Sequence, residues 1–256
     1  MIKYTSKLLK RCEVWFDEEP TEEVDILTYH QRTLPVVTAK CTDFYTLITD
    51  LSKKSDELLQ NFSKDTRYEI RRAEKQDEII YEYWMAKNTN AVLTRFHNFY
   101  DRFAIAKKLN VMDRRYLKRL ADAGVLDLSV VQDKEGNDLV WHAYYRNTER
   151  VRLLHSCSLF RENADNASRN LSGRANRLHH WRDMLRFKQE GILCYDFGGW
   201  YEGNSDMEKL RINQFKSEFG GTVVKNYNCN QIVTVKARIL MTAFDVVKNI
   251  KVIIGR

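Results

Sequence analysis

Two short stretches decide how this sequence folds: YDFGGW at residues 195–200 and FKSEFGG at residues 215–221. Asp196 stands near the end of an apolar run that is typical of a strand. The paired glycines Gly198 and Gly199 then let the backbone turn sharply or pass close to a ligand. The first stretch therefore predicts a strand that ends in a tight turn, and the second predicts a helix that another glycine pair terminates.

The second stretch belongs to a predicted helix over residues 207–219. Ile212, Phe215 and Phe219 share one face of this helix at i, i+3, i+7 spacing, and Lys216 lies beside that face. A lysine on the rim of an apolar face can extend its stem along the face and place its ammonium in a cleft. The spacing therefore predicts that Lys216 reaches into a cleft.

The order of the predicted elements indicates a mixed α/β domain. From residue 77 the apolar periodicity predicts a strand, two helices, three strands of an antiparallel meander, a helix, a strand, a helix, and a closing pair of strands at 222–228 and 231–237. This order resembles that of the GCN5-related N-acetyltransferase (GNAT) fold. We therefore expect an α/β (α+β) protein with a GNAT-like, mostly antiparallel sheet flanked by helices. Residues 1–76 are expected to form a truncated N-terminal GNAT-like portion packed on the main domain, residues 77–256.

The composition favours a compact core that needs no disulfide or metal staple. The 256 residues are 43% hydrophobic, and no Pro-rich or Gly/Ser-rich tract marks a linker. The longest apolar run, at residues 252–254, is too short to span a bilayer and the N-terminus lacks a signal-peptide pattern, so we expect a cytoplasmic protein. The five cysteines lie far apart without a CxxC pair, and we expect reduced thiols and no zinc site: Cys12, Cys41, Cys157, Cys194 and Cys229.

A polar stretch that starts at residue 161, RENADNASRNLSGRANRLHHW, is expected to be a loop that enters a helix capped by Ser172. Free N–H groups and the positive helix end favour an anion there, and Gly173 allows the backbone to approach it closely. The alternative is an ordinary capped helix with solvated arginines. The residues predicted to bind an anionic donor carrier are Arg169, Asn170, Ser172, Gly173, Arg174 and Ala175.

Histidines on two neighbouring predicted strands are candidates for a general base. His142 and His155 could each take a proton from an attacking amine, although a strand histidine is more often a hydrogen-bonded, half-buried residue. The adjacent His179 and His180 of the following helix are not expected to face the core together, so one of them can face the site.

A basic stripe is predicted on an earlier helix. Arg67, Arg71 and Lys75 stand at i, i+4, i+8 spacing and could bind an anionic ligand or RNA phosphates. Ion pairs with Glu69 and Glu74 would instead make the same residues a solvated face.

The paired motifs YDFGG and FK-x-x-FGG, together with R-x-x-I-R-x-A at residues 67–73, resemble the Fem family. This family comprises the aminoacyltransferases that build peptidoglycan cross-bridges, and shorter GNAT-like acyltransferase relatives. The resemblance implies a bacterial transferase without metal, in which Lys216 lies beside the reacting carbonyl and Phe215 lines the donor channel. The expected substrate-binding residues are Arg67, Arg71, Tyr195, Asp196, Gly198, Gly199 and Trp200.

The resemblance implies a function as well as a fold. We expect an acyltransferase, with no tightly bound cofactor, that moves an acyl or aminoacyl group from acyl-CoA or aminoacyl-tRNA to an amine. The expected acceptor is an amino sugar or a cell-envelope or polysaccharide precursor. Lys216 and backbone N–H groups would donate to the oxyanion. The alternative is a non-catalytic RNA-binding or scaffold protein on a degenerate GNAT fold, which would use the net charge of +7.

Overall fold

The structure is a computed structural model that describes residues 1–21, 23–86, 88–159 and 165–254, with side chains described as far as Phe244. The strands are β1 (Ile2–Ser6), β2 (Leu9–Trp15), β3 (Ile26–Arg32), β4 (Lys40–Asp50), β5 (Ile80–Trp84), β6 (Leu126–Gln132), β7 (Asp138–Arg146), β8 (Arg150–Ser158), β9 (Cys194–Gly199) and β10 (Thr222–Ile232). The α-helices are α1 (Ser55–Gln60), α2 (Lys64–Gln76), α3 (Leu93–Lys107), α4 (Arg114–Asp122), α5 (Asn166–Gln189), α6 (Met207–Ser217) and α7 (Val235–Ile254).

The chain divides into two compact units. The first comprises Met1–Tyr45 and Lys225–Arg256, and the second comprises Thr46–Val224. The boundary expected between residues 76 and 77 falls inside the second unit, between α2 and β5. That residues 1–76 correspond to part of an N-terminal GNAT-like domain stays a prediction.

The first unit is built on strands β1, β2, β3 and the end of β10, in that order. The β1–β2 and β3–β10 pairs are antiparallel, whereas β2 and β3 are parallel. Its core is a small apolar cluster that includes Val14, Leu27 and Tyr29.

The second unit contains a sheet with the order β4-β9-β8-β7-β6-β5. All of its described strand pairs are antiparallel except β8–β9, which is parallel. Helices cover both faces of this sheet. His142 of β7 points to one face and contacts α5. The next residue, Ala143, pairs with His155 of β8, and the His155 ring packs on Phe96 and Tyr100 of α3 on the other face. The predicted mixed α/β class with a mostly antiparallel sheet is confirmed.

Helix α5 begins earlier than predicted. Its N-cap is Asp165, whose side chain accepts from the backbone N–H of Ser168 at 2.8 Å. Ser172 is a buried residue of the second turn, so the expectation that it caps the helix was wrong. Both residues are good N-caps, and the earlier one begins the helix. The predicted stretch at residues 161–164 lies outside the described residues.

The predicted closing pair of strands was also wrong. β10 is one continuous strand that includes residue 231, and the residues after it lead into α7. Thr234 begins this helix, since its hydroxyl accepts from the backbone N–H of Ala237 at 3.2 Å. The β-branched residues of VTV at 233–235 favour a strand locally. The cap at Thr234 and the long apolar helix that follows it instead make this segment the start of α7.

The expectation of five reduced thiols was wrong for one pair of cysteines. Cys41 of β4 and Cys229 of β10, which are 188 residues apart in the chain, form a disulfide within the first unit. The sequence spacing gave no sign of it because the fold brings the two strands together. Cys12, Cys157 and Cys194 are thiols outside this disulfide. Across residues 1–21, 23–86, 88–159 and 165–254, no helix has the length and apolar character needed to cross a membrane.

Candidate active site

The two glycine-containing stretches come together at Lys216. Its Nζ donates to the carbonyl oxygen of Gly199 at 2.5 Å and to that of Gly198 at 3.3 Å. Helix α6 holds the lysine there, because Asp206 caps its first turn and the buried Phe219 follows its last turn. The lysine therefore lies against the end of strand β9.

The end of β9 needs glycine for a steric reason. Gly198 has φ +74°, and a Cβ at this position would lie 2.9 Å from the backbone oxygen of Leu153 on β8. The fully buried Asp196 holds the turn: its carboxylate accepts from Gly198 N at 2.7 Å, from Arg150 Nη2 at 2.5 Å and from the hydroxyl of Thr46. Asp196 therefore supports the carbonyl groups that Lys216 contacts.

A cavity of about 670 Å³ opens at this point of the sheet. The parallel pairing of β8 and β9 ends at Arg152 and Asp196, and the next residue of each strand, Leu153 and Phe197, lines the cavity. Helices α3, α5 and α6 supply the other walls. Besides Lys216, the lining residues are Phe103, Lys107, Leu153, Ser156, Ser158, Asn176, His180, Phe197, Glu208, Arg211, Ile212 and Phe215.

The cavity changes the acidity of Lys216. Burial lowers the pKa of its ammonium to about 8; the charge of Arg152 acts in the same direction, while Asp196 opposes it. The group is consequently a cation at neutral pH and loses its charge within a pH range in which the protein can be assayed. A cationic donor with a moderately lowered pKa is suited to binding an oxyanion.

Behind the cavity lies a buried polar network centred on Asp183 of α5. Its carboxylate accepts from the hydroxyls of Tyr144 at 2.6 Å, Tyr81 at 2.7 Å and Ser129 at 3.1 Å, and lies 2.8 Å from His142 Nδ1. Burial by itself disfavours the charged form, but the neighbouring histidines, the hydrogen bond from His142 and the charge of Arg186 keep the pKa of Asp183 well below its usual range. Asp183 is therefore an ionised carboxylate in the interior.

His180 connects this network to the cavity. Its Nδ1 lies 2.7 Å from the hydroxyl of Tyr195, which lies 2.7 Å from the hydroxyl of Tyr144, and Tyr144 donates to Asp183. Burial, followed by the nearby histidine charges, lowers the pKa of His180 well below its usual value, so the ring is neutral. Its neighbour His179 is equally buried, so the expectation that the two would not both face the core was wrong.

The network also contains a cluster that could be taken for a metal site. Ligand atoms of His142, His179 and Asp183 all lie within 4.8 Å of one another. The two imidazoles, however, are stacked with their centroids 3.7 Å apart and their planes 4° apart. An ion lies close to the plane of an imidazole that binds it, and one ion cannot lie in two parallel planes at this separation. The residues therefore fit a hydrogen-bonded network better than a metal site, and the expected lack of metal stays a prediction.

The two histidines predicted as bases lie on opposite faces of the sheet. His142 contacts Asp183 and, through Nε2 at 3.1 Å, Asn176. His155 packs against the ring of Tyr100 at 5.2 Å, and burial, then the charge of Arg152, lowers its pKa to about 4. Neither histidine is among the described residues that line the cavity.

The predicted anion-binding loop is not a loop in the structure. Residues 169–175 are helical, so their backbone N–H groups lie within α5 and not at its start. Arg174 forms an ion pair with Asp77, with Nε and Oδ2 2.6 Å apart. Phe215, which was predicted beside Lys216, does line the cavity. The expected loop at a helix start was therefore wrong, and the binding of an anionic donor carrier stays a prediction for Arg169, Asn170, Ser172, Gly173, Arg174 and Ala175.

The remaining predicted substrate-binding residues take varied positions. The hydroxyl of Tyr195 is buried in the network, and Trp200 lines a smaller hollow of about 300 Å³ beside Gly199. On α2, Arg67 donates to the backbone oxygen of Gln60 at 2.9 Å and Arg71 is exposed. Neither arginine is among the described residues that line the cavity, and their role in binding an anion stays a prediction.

Comparison with known proteins places the fold. No protein-family model and no curated protein matches the sequence. The crystal structure of FemX, however, matches with a TM-score of 0.60 over 74% of this chain and 61% of the FemX chain, at 17% identity. The fold is Fem-like. The resemblance predicted from the two glycine-containing stretches is confirmed at the level of fold.

Two further structures share the Fem-like fold over 85% of this chain and 71% of theirs, each at 12% identity. One is the C-terminal domain of a putative lysylphosphatidylglycerol synthetase from Agrobacterium fabrum, with a TM-score of 0.52. The other is L-PGS from Bacillus licheniformis, with a TM-score of 0.51. This chain spans 61% of the length of FemX, and identities this low show a shared fold alone.

Proposed function

We propose that this protein is an acyltransferase that moves an acyl or aminoacyl group from an activated donor to an amine bound in the cavity. One observation carries the proposal: the ammonium of Lys216 lies in the wall of a cavity of about 670 Å³, at the place where the pairing of β8 and β9 ends. The shared fold of FemX and of the lysylphosphatidylglycerol synthetase domain supports it.

The chemistry follows from the position of Lys216. A neutral amine attacks the carbonyl carbon of the donor, and negative charge develops on the carbonyl oxygen. Lys216 lies at the end of a cavity that is partly closed to water, where a cationic donor stabilises that charge more than it does in solution. One well-placed donor of this kind typically contributes about 3–4 kcal/mol to the transition state.

The walls of the cavity indicate the class of donor. Phe103, Leu153 and Phe197 offer apolar surface for an acyl chain or a thioester arm, whereas Lys107 and Arg211 add positive charge. Glu208 is the one carboxylate among the described lining residues, and its Oε1 lies 3.8 Å from Lys107 Nζ. An anionic carrier such as coenzyme A fits this distribution, and transfer RNA is the second candidate. The proposed acceptor is an amine on a cell-envelope precursor.

Native mass spectrometry tests whether the cavity binds a donor. We expect a stoichiometric complex with acetyl-CoA or a longer acyl-CoA that is lost in Ser156→Trp, because Ser156 is an exposed residue that lines the cavity. Ser217→Trp is the matched control: Ser217 is exposed at the end of α6 and is not among the described lining residues. Equal binding by both variants would contradict the assignment of the cavity. RNA binding that falls steeply with salt, without turnover of any donor, would favour an RNA-binding protein.

A further inference from the structure

We propose that His180 is the general base of this site and that hydrogen bonds through Tyr195 and Tyr144 link its ring to the anionic Asp183, which fixes the position of the ring proton. The proposal rests on the proposed acyl transfer, because it names the group that removes a proton from the attacking amine. It assigns a catalytic role to His180, which lines the cavity, and positioning roles to the three buried residues behind it.

The hydrogen bonds fix the direction of this chain. Asp183 can only accept, and the short contact of 2.6 Å from Tyr144 makes the carboxylate the preferred acceptor of the single Tyr144 hydrogen. Tyr195, 2.7 Å from Tyr144, must then donate its own hydrogen to the Tyr144 oxygen. The Tyr195 oxygen is left to accept from His180 Nδ1, also at 2.7 Å. His180 therefore carries its proton on Nδ1, and Nε2 keeps a lone pair for a ligand in the cavity.

The electrostatics favour a transient positive charge on His180. Asp183 is fully buried and ionised, and its hydrogen bonds from Ser129 and Tyr81 keep it in place. Its negative charge acts against the desolvation of an imidazolium at His180, because the two groups lie in one buried chain of hydrogen bonds. Asp183 therefore stabilises the charge that forms on His180 without taking the proton itself.

The step balances in atoms and charge. As the amine nitrogen bonds to the carbonyl carbon, its proton goes to His180 Nε2, and the Nδ1–H of the imidazolium keeps its hydrogen bond to Tyr195. The carbon–sulfur or carbon–oxygen bond of the donor then breaks, which gives an amide and a thiolate or alkoxide. The proton on His180 Nε2 goes to this leaving group, so the ring is neutral again and no other reactant is consumed.

Histidine NMR tests the hydrogen-bond chain without any substrate. With ¹⁵N-labelled histidine in the full chain, the couplings of the His180 ring should show the proton on Nδ1 in the parent protein. In Tyr144→Phe, Tyr195 loses its acceptor and should donate to His180 Nδ1, which moves the ring proton to Nε2. Tyr81→Phe is the matched control, because it also removes one hydrogen bond to Asp183 but lies off the path, so it should leave His180 unchanged.

A ring proton on Nε2 in the parent protein would overturn the proposal, and this result needs no variant to fold. An unchanged tautomer in folded Tyr144→Phe would overturn it too. The kinetic arm uses acetyl-CoA and an amine acceptor: Tyr144→Phe should lower kcat by about 10²-fold or more and change the solvent isotope effect, because Nε2 then carries the ring proton and cannot act as the base. Tyr68→Phe, at an exposed tyrosine of α2, should leave kcat unchanged. The expected tautomers without any acyl turnover would leave the assigned tautomer standing and refute the proposed function.

Discussion

The substitution Gly198→Ala tests the structural basis of the site. Gly198 has φ +74°, a conformation that costs a residue with a Cβ about 1–2 kcal/mol. The new Cβ would also lie 2.9 Å from the backbone oxygen of Leu153, so β8 and β9 must move apart. Overpacking of this kind adds about 1–3 kcal/mol, for a total of about 2–5 kcal/mol. Because Gly198 O accepts from Lys216, the movement should also displace the ammonium.

Gly124→Ala is the control for this prediction. Gly124 follows α4 with φ +68°, and a Cβ there would meet nothing within 4 Å, so only the backbone strain applies. Urea unfolding of both variants, followed by circular dichroism, should show Gly198→Ala less stable than Gly124→Ala by about 1–3 kcal/mol. Equal losses of stability would refute the close approach of the two strands, and Gly198→Ala with parental acyl transfer would refute the link to Lys216.

Three further predictions concern separate parts of the chain. Because burial lowers the pKa of Lys216 to about 8, the cation is present below that pH and the rate of acyl transfer should fall as the pH rises through it. A rate that rises through pH 8 in a Lys216-dependent manner would show that the neutral amine of Lys216 acts instead. Gly173 lies inside α5, and a Cβ there would be in ordinary contact distance of Arg177 only. Gly173→Ala should therefore stabilise the protein by about 0.5–1 kcal/mol. A lower Tm of this variant would argue against a helix at residue 173. The disulfide Cys41–Cys229 closes a long loop, so its reduction should destabilise the parent protein by about 2–4 kcal/mol. If reductant lowered the Tm of Cys41→Ser as much as that of the parent, the pairing would be contradicted.

The place of Lys216 in a cleft and the glycine turn at the end of a strand could be predicted because their signals are local. Paired glycines after a strand and an aromatic face around Lys216 are visible within a few residues, and each indicates one side of the same cleft. The meander β6–β7–β8 was predictable for the same reason, since apolar alternation and the turn at Gly136 are also local. These features fix the element order and thus the fold.

The buried network could not be predicted from local patterns. Tyr144 and Asp183 are 39 residues apart and Tyr144 and Tyr195 are 51 apart, and each lies in a different element. The alternation of side chains along a strand indicated the face on which His142 lies. Its partner on α5, Asp183, could not be predicted, because it depends on how the helix packs on the sheet. His180 is recognisable only as a polar residue among Leu178, Trp181 and other core residues of α5, a weak signal on its own.

The most direct test of the account is acyl transfer by Lys216→Met beside Lys118→Met. Methionine keeps an apolar stem and removes the ammonium, while Lys118 is an exposed lysine of α4 paired with Asp122. With purified protein, acetyl-CoA and a set of amine acceptors, release of free thiol should be slower by about 10²-fold or more in Lys216→Met, as for loss of an oxyanion donor, and unchanged in Lys118→Met. Parental turnover by a folded Lys216→Met protein would contradict the central claim that this ammonium stabilises the transition state.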